Sequence, residues 1–88
     1  MSWGIETTHK FDPAALEESL NALADEERFG AVLRAKGIVQ GENGNWLHFD
    51  LVPGEVSLRE GSAAITGRLC VIGAKLNETA LKALFPAK

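Results

Sequence analysis

The only imidazole and thiol ligands that this 88-residue sequence offers a transition metal are His9, His48 and Cys70. None lies within a ligand-type spacing of another. His48 and Asp50, two positions apart on an extended segment, project from one face and could share an ion. An exposed polar sheet face is the simpler reading of that pair. Cys70 sits in the apolar run Leu69-Cys70-Val71-Ile72 and is expected to be a small core residue, inert when buried. His9 is expected to be a solvated loop side chain. Thr8-His9 sets a hydroxyl beside an imidazole, but neighbours on an extended segment point to opposite sides, so no nucleophile–base pair is expected. Glu17 and Glu18, with Asp25, Glu26 and Glu27, are most simply the solvated side of a helix, an acidic binding surface being the alternative. Phosphate chemistry has no carrier. There is no G-x-x-x-x-G-K-[ST] motif, and Gly41-Glu42-Asn43-Gly44 falls in a hairpin rather than before a helix N-terminus. No catalytic, cofactor-binding or metal-binding residue is therefore expected in this chain.

Composition narrows the class further. Nine basic and twelve acidic side chains give a net charge of −3, which argues against nucleic acid or an anionic membrane as partner. A single cysteine excludes an internal disulfide. The apolar runs are a few residues long against the roughly 20 needed to span a bilayer. Residues 1–10 contain no apolar h-region, so a cytoplasmic protein is expected. No repeat or linker composition interrupts the chain, and residues 3–85 are read as one domain.

The elements that must position these side chains can be read from caps, turns and alternation. Residues 3–8 carry β-branched Ile5, Thr7 and Thr8 and are expected to be a strand. Asp12-Pro13 opens a helix, with Asp12 capping free N–H groups and Pro13 at the first helical position. Phe11 before the cap can pack on Leu16, while Leu16, Leu20 and Leu23 form the buried stripe and Gly30 is the stop. Residues 31–40 and 46–52 are the arms of a hairpin. A two-residue Asn43-Gly44 loop would put Arg34 and Lys36 on one sheet face with Phe49 and Leu51. A three-residue loop with Gly44 in the left-handed position instead pairs Gly41 with Asn45. Val39 then faces Leu47, Gly37 faces Phe49 and Ala35 faces Leu51. Because one residue of slip exchanges the faces, the clean alternation favours the three-residue loop.

The other face of that hairpin then carries Gln40 beside Trp46, Ile38 beside His48, and Lys36 beside Asp50, the last as a cross-strand ion pair. Pro53-Gly54 is a type II turn. Residues 55–59 are read as a short strand and residues 60–67 as a loop. Residues 68–73 are read as a central strand buried on both faces. Asn77 caps a last helix that packs through Leu76, Leu81, Leu84 and Phe85 and ends at Pro86. The expected fold class is α+β: a two-layer sandwich with a mixed, mostly antiparallel sheet of four or five strands and two helices on one face, in the order β-α-β-β-(β)-β-α. If the first strand and the strand after the helix pair in parallel, their crossover is right-handed. The face bearing Arg34, Lys36, Trp46, His48 and Asp50 is the candidate docking surface, since aromatic and Arg residues are favoured in such patches.

Leu33-Arg34-Ala35-Lys36-Gly37-Ile38, the hairpin with Trp46, and Arg68-Leu69-Cys70-Val71-Ile72-Gly73 before a closing helix together resemble the C-terminal domain of the CobW family. The strand and helix opened by Phe11-Asp12-Pro13 fit the same pattern, so the resemblance spans nearly the whole chain. CobW-like proteins are P-loop GTPases linked to cobalamin synthesis and to cobalt or zinc delivery. The resemblance implies that GTP, Mg and a transition metal belong to an N-terminal domain, which carries the P-loop and a Cys-x-Cys-Cys motif. It implies for this chain a non-catalytic accessory role, in contact with the CobW-type GTPase domain or a metalloprotein client. The alternatives are a freestanding regulatory module that dimerises through its sheet, and a weak metal-binding protein using His48 and Asp50.

Overall fold

The computed structural model describes residues Met1–Lys88. In chain order it contains β1 (Ser2–Thr7), β2 (Lys10–Phe11), α1 (Pro13–Ala22), α2 (Glu26–Phe29), β3 (Ala31–Gly41), β4 (Trp46–Val52), β5 (Glu55–Gly61), β6 (Gly67–Ala74) and α3 (Glu78–Leu84). Each helix starts where a short polar side chain can take a free backbone N–H. Asp12 accepts from Ala15 at 3.0 Å, Asp25 from Glu27 at 3.1 Å, and Asn77 from Ala80 at 3.1 Å.

The segment expected as one helix running to Gly30 is in fact two. After Ala22 the backbone tightens: Leu23 donates to Leu20, Ala24 to Asn21 and Asp25 to Ala22, three successive bonds of the i→i−3 kind. Asp25 then caps a new turn, α2, which closes at Gly30 with φ 90°. Gly30 is the expected stop, but for the second helix rather than the first.

The strands lie in the order β1-β6-β3-β4-β5, with β2 added beside β3. The only parallel pairing is β2 with β3, Lys10 opposite Gln40 and Phe11 opposite Gly41. The first strand does not pair with β3. It pairs antiparallel with β6, which lies between them. The hairpin follows the three-residue loop: Gly44 has φ 86°, Gly41 N–H donates to Asn45 O at 2.8 Å, and Val39, Gly37 and Ala35 oppose Leu47, Phe49 and Leu51. One register irregularity falls between Val32 and Arg34 on β3, where Leu33 is the extra residue.

Alternation decides where the core sits. One sheet face gives Trp3, Ala35, Val39, Leu47, Phe49, Leu51, Leu69 and Val71 to a single buried cluster. The helices and the segments flanking them complete it with Phe11, Leu16, Leu20, Leu23, Phe29, Leu76, Leu81 and Phe85. Thr7, buried among these, is satisfied because its hydroxyl donates to Pro86 O at 2.7 Å. The result is the expected two-layer α+β sandwich, with helices on one sheet face only.

Two expectations about the later strands need correction. The strand expected at residues 55–59 runs on to Gly61, and β6 begins at Gly67, so the connecting loop is shorter than residues 60–67. The strand is central, between β1 and β3, but not buried on both faces. Leu69 and Val71 are buried while Arg68 and Ile72 are exposed and Cys70 is half-buried. An apolar run without alternation suggested two covered faces, but no helix lies over the second one.

Candidate functional site

The uncovered sheet face collects every second residue of five strands. Across its middle, Arg68 of β6, Ile38 of β3, His48 of β4 and Arg59 of β5 stand side by side, because Ile38 opposes both Arg68 and His48, and His48 opposes Arg59. One step along the strands, Cys70, Lys36, Asp50 and Ser57 form a parallel row. Beyond it come Ile72 and Arg34, and at the other end Gln40 and Trp46. A shallow pocket of about 460 Å³ lies over the centre, lined by Lys36, Ile38, His48, Asp50, Arg59 and Arg68 among others.

All five residues of the candidate docking surface thus share this face, and four features of their environment bear on what they can do. First, Asp50 opposes Lys36 in register, yet its ion-pair partner is Arg34. Arg34 Nη2 donates to Oδ2 at 3.1 Å and Nε to Oδ1 at 3.4 Å. The expected Lys36–Asp50 pair does not form. The longer, forked guanidinium reaches diagonally along the strand to both carboxylate oxygens, which an ammonium cannot engage together. That hydrogen bond holds the Asp50 carboxyl below the usual range, with some desolvation opposing it and the nearby charges of Arg34 and Lys36 assisting. Because the pKa is lowered, the pair is intact above the ordinary carboxylate range and is lost as pH falls through the lowered value. An NMR carboxyl titration should therefore place Asp50 at a lower midpoint in the wild type than in Arg34→Gln; equal midpoints would contradict this cause.

Second, His48 Nε2 lies 2.8 Å from Ser62 O. A carbonyl oxygen only accepts, so Nε2 carries the proton and Nδ1 is the nitrogen left open in the neutral ring. Third, no three side chains among His, Cys, Asp and Glu come together as a group that could hold a metal ion. His48 and Asp50 share a face as their spacing suggested, with Asp50 engaged by Arg34 and His48 by Ser62. Cys70 is half-buried, with Lys36 and Gly4 as its cross-strand neighbours, and is not the core residue expected. His9 lies in the loop between β1 and β2 as expected, but half-buried: its Nδ1 lies 3.0 Å from Lys88 O and its ring meets Phe11 edge-on at 4.6 Å.

Fourth, the face holds two further cations that no local sequence pattern singles out. Arg68 opens the apolar run of residues 68–73, and Arg59 lies on a short strand whose place in the sheet its own residues do not specify. Strict alternation along residues 68–72 would have put Arg68, Cys70 and Ile72 on one face. The neighbour relation of β6 and β5 to the hairpin is not written in any local pattern. Trp46, also on this face, is half-buried, whereas Ile72 is 40% and Val52 41% exposed.

The whole arrangement is one that known proteins share. The family model of the cobalamin synthesis protein cobW C-terminal domain matches residues 1–87. Among solved structures, the chain is similar to the Zn(II)-bound YjiA GTPase from E. coli, at 24% identity and a TM-score of 0.76, covering 96% of this chain and 28% of that one. A Zn(II)-bound triple mutant of YjiA GTPase superposes equally well, at 22% identity and a TM-score of 0.77, again over 96% of this chain and 28% of the other. At these identities the likeness speaks for the fold, and the chain spans little more than a quarter of the length of either GTPase. No curated protein matches the sequence significantly. With the family model matched from end to end and the same sheet-and-helix arrangement in both structures, this chain belongs to the family of CobW C-terminal domains.

Proposed function

We propose that this chain is a non-catalytic accessory domain of a CobW-type GTPase system serving cobalt or zinc delivery or cobalamin synthesis, and that it acts by docking through its uncovered sheet face. The observation that carries the reading is the contrast between the two faces. One is sealed by helices; the other presents Arg34, Lys36, Trp46, His48 and Asp50 with no element of the chain laid over the sheet. Exposed Ile72 and Val52 extend that face with apolar surface beside the Arg34–Asp50 pair. Aromatic and Arg side chains are enriched in protein–protein interfaces, and this face carries Trp46 at one end and Arg34 at the other. The family supports the choice of partner, a P-loop GTPase domain or its metalloprotein client, and GTP, Mg and the transition metal are assigned to that partner.

Charge reversal at two positions tests the surface. Arg34→Glu with Lys36→Glu should weaken association with a CobW-type GTPase domain from the same source by about tenfold or more, most of it lost at high salt. Unchanged affinity, measured by calorimetry on variants with native spectra, would remove this face from the interface.

A further inference from the structure

The sequence is acidic overall, but its charge is not evenly spread. The helices carry Glu17, Glu18, Glu26, Glu27 and Glu78 against Arg28 and Lys82, whereas the uncovered face carries Arg34, Lys36, Arg59 and Arg68 against Glu6, Asp50 and Glu55. Arg34–Asp50 is the only ion pair in the molecule. Lys36, Arg59 and Arg68 are all exposed, and none has a carboxylate within ion-pair distance, although Glu6 stands opposite Arg68 on β1. Three unpaired cations around one pocket, in a domain of net charge −3, define a local positive field that attracts anions to this face.

Their spacing selects the kind of anion. Arg68 on β6 and Arg59 on β5 are separated by β3 and β4. Three inter-strand steps of about 4.8 Å put their backbones roughly 14 Å apart. Both line one pocket from its opposite sides, so an extended ligand laid across the strands can engage the two at once. An extended peptide rises about 3.3 Å per residue, so side chains at i and i+4 stand roughly 13 Å apart on the same side, with i+2 between them. Between Arg68 and Arg59 on the sheet stand Ile38 and His48, with Ile38 the apolar one. The face thus reads base, apolar, base, the complement of a segment that reads acid, apolar, acid.

We propose that this pocket binds an extended acidic segment of a protein partner, with carboxylates at i and i+4 meeting Arg68 and Arg59, an apolar side chain at i+2 resting on Ile38, and Lys36 attracting further negative charge. The proposal rests on the docking role given above and names the chemistry of the occupant. Nucleic acid is disfavoured by the acidic helical layer.

The test uses the 88-residue chain and end-capped pentapeptides followed by amide NMR. Glu-Thr-Leu-Thr-Glu should shift amides of β3 to β6 around Ile38, His48, Arg59 and Arg68. Its affinity should fall about tenfold or more in Arg59→Glu/Arg68→Glu and remain within a few-fold in Arg59→Lys/Arg68→Lys. The variant spectra report folding directly. Absence of shifts at millimolar peptide, shifts confined to the helices, equal affinity for the double charge reversal, or tighter binding of a ten-nucleotide oligo(dT) at the same amides would each overturn the proposal. A separate comparison distinguishes it from the docking role. If Arg34→Glu/Lys36→Glu abolishes GTPase-domain association while Arg59→Glu/Arg68→Glu leaves it intact, docking stands and the acidic segment is overturned; loss of association in both supports the two together.

Discussion

Replacing Gly37 by valine is expected to leave the chain without a cooperatively folded state. A Cβ at this position would lie 2.7 Å from two ring carbons of Phe49 and 2.8 Å from the carbonyl oxygen of Arg68. Phe49 is 3% exposed within the core, so its ring cannot swing into solvent. The Arg68 oxygen belongs to the backbone of β6, paired with β3 at Gly37–Leu69 and Ile38–Arg68, and cannot recede without opening that ladder. Overpacking where neighbours can shift costs about 1–3 kcal/mol. With backbone on one side the cost should exceed this, against a total of roughly 5–10 kcal/mol for a small domain. A collapsed amide spectrum and loss of a urea transition are the expected readings. A dispersed spectrum with an unchanged midpoint would show that the strands tolerate a side chain here.

Gly37 also shows why part of this molecule was legible in its sequence. In Arg34-Ala35-Lys36-Gly37 the small residues face inward, beneath core aromatic and aliphatic groups, and the basic residues face outward. That alternation is local, so the hairpin register, the sharing of one face by Arg34, Lys36, Trp46, His48 and Asp50, and the helix caps could all be derived from neighbouring residues. What could not be derived depends on contacts distant in sequence. The insertion of β6 between β1 and β3 brings Arg68 and Cys70 next to Lys36, and nothing in residues 68–73 specifies that neighbour. The partner of Asp50 depends on reach: register pointed to Lys36, whereas bidentate geometry selects Arg34. Of the three cations without a carboxylate partner, Lys36 is legible from the hairpin alternation, whereas Arg59 and Arg68 join it only in the assembled sheet.

Truncation of Phe29 should be the costliest core deletion, although the sequence pattern did not single it out. Its position falls outside the Leu16, Leu20, Leu23 stripe because the chain restarts helix formation at Asp25, which rotates the following turn relative to α1. Phe29 is fully buried, and its carbonyl accepts from Asn77 N–H at 3.0 Å, so it ties α2 to the start of α3. The Arg28 guanidinium lies 4.7 Å from the ring centre, and the adjacent Gly30 runs hard against the backbone of Lys75 and Leu76. With backbone packed so closely, the site has little room to collapse around a void, the circumstance in which cavity costs are largest. Phe29→Ala should therefore destabilise by about 3–5 kcal/mol. At roughly 4–8 °C per kcal/mol for a domain of this size, Tm should fall by on the order of 12–40 °C. Phe29→Leu, which keeps much of the volume, should recover most of that loss. Since Phe29 lies on the helical side of the sheet, the Asp50 titration and peptide binding on the opposite face should be unchanged while the domain remains folded. A loss of less than about 5 °C would mean that the α2–α3 junction repacks and is not the anchor this geometry describes.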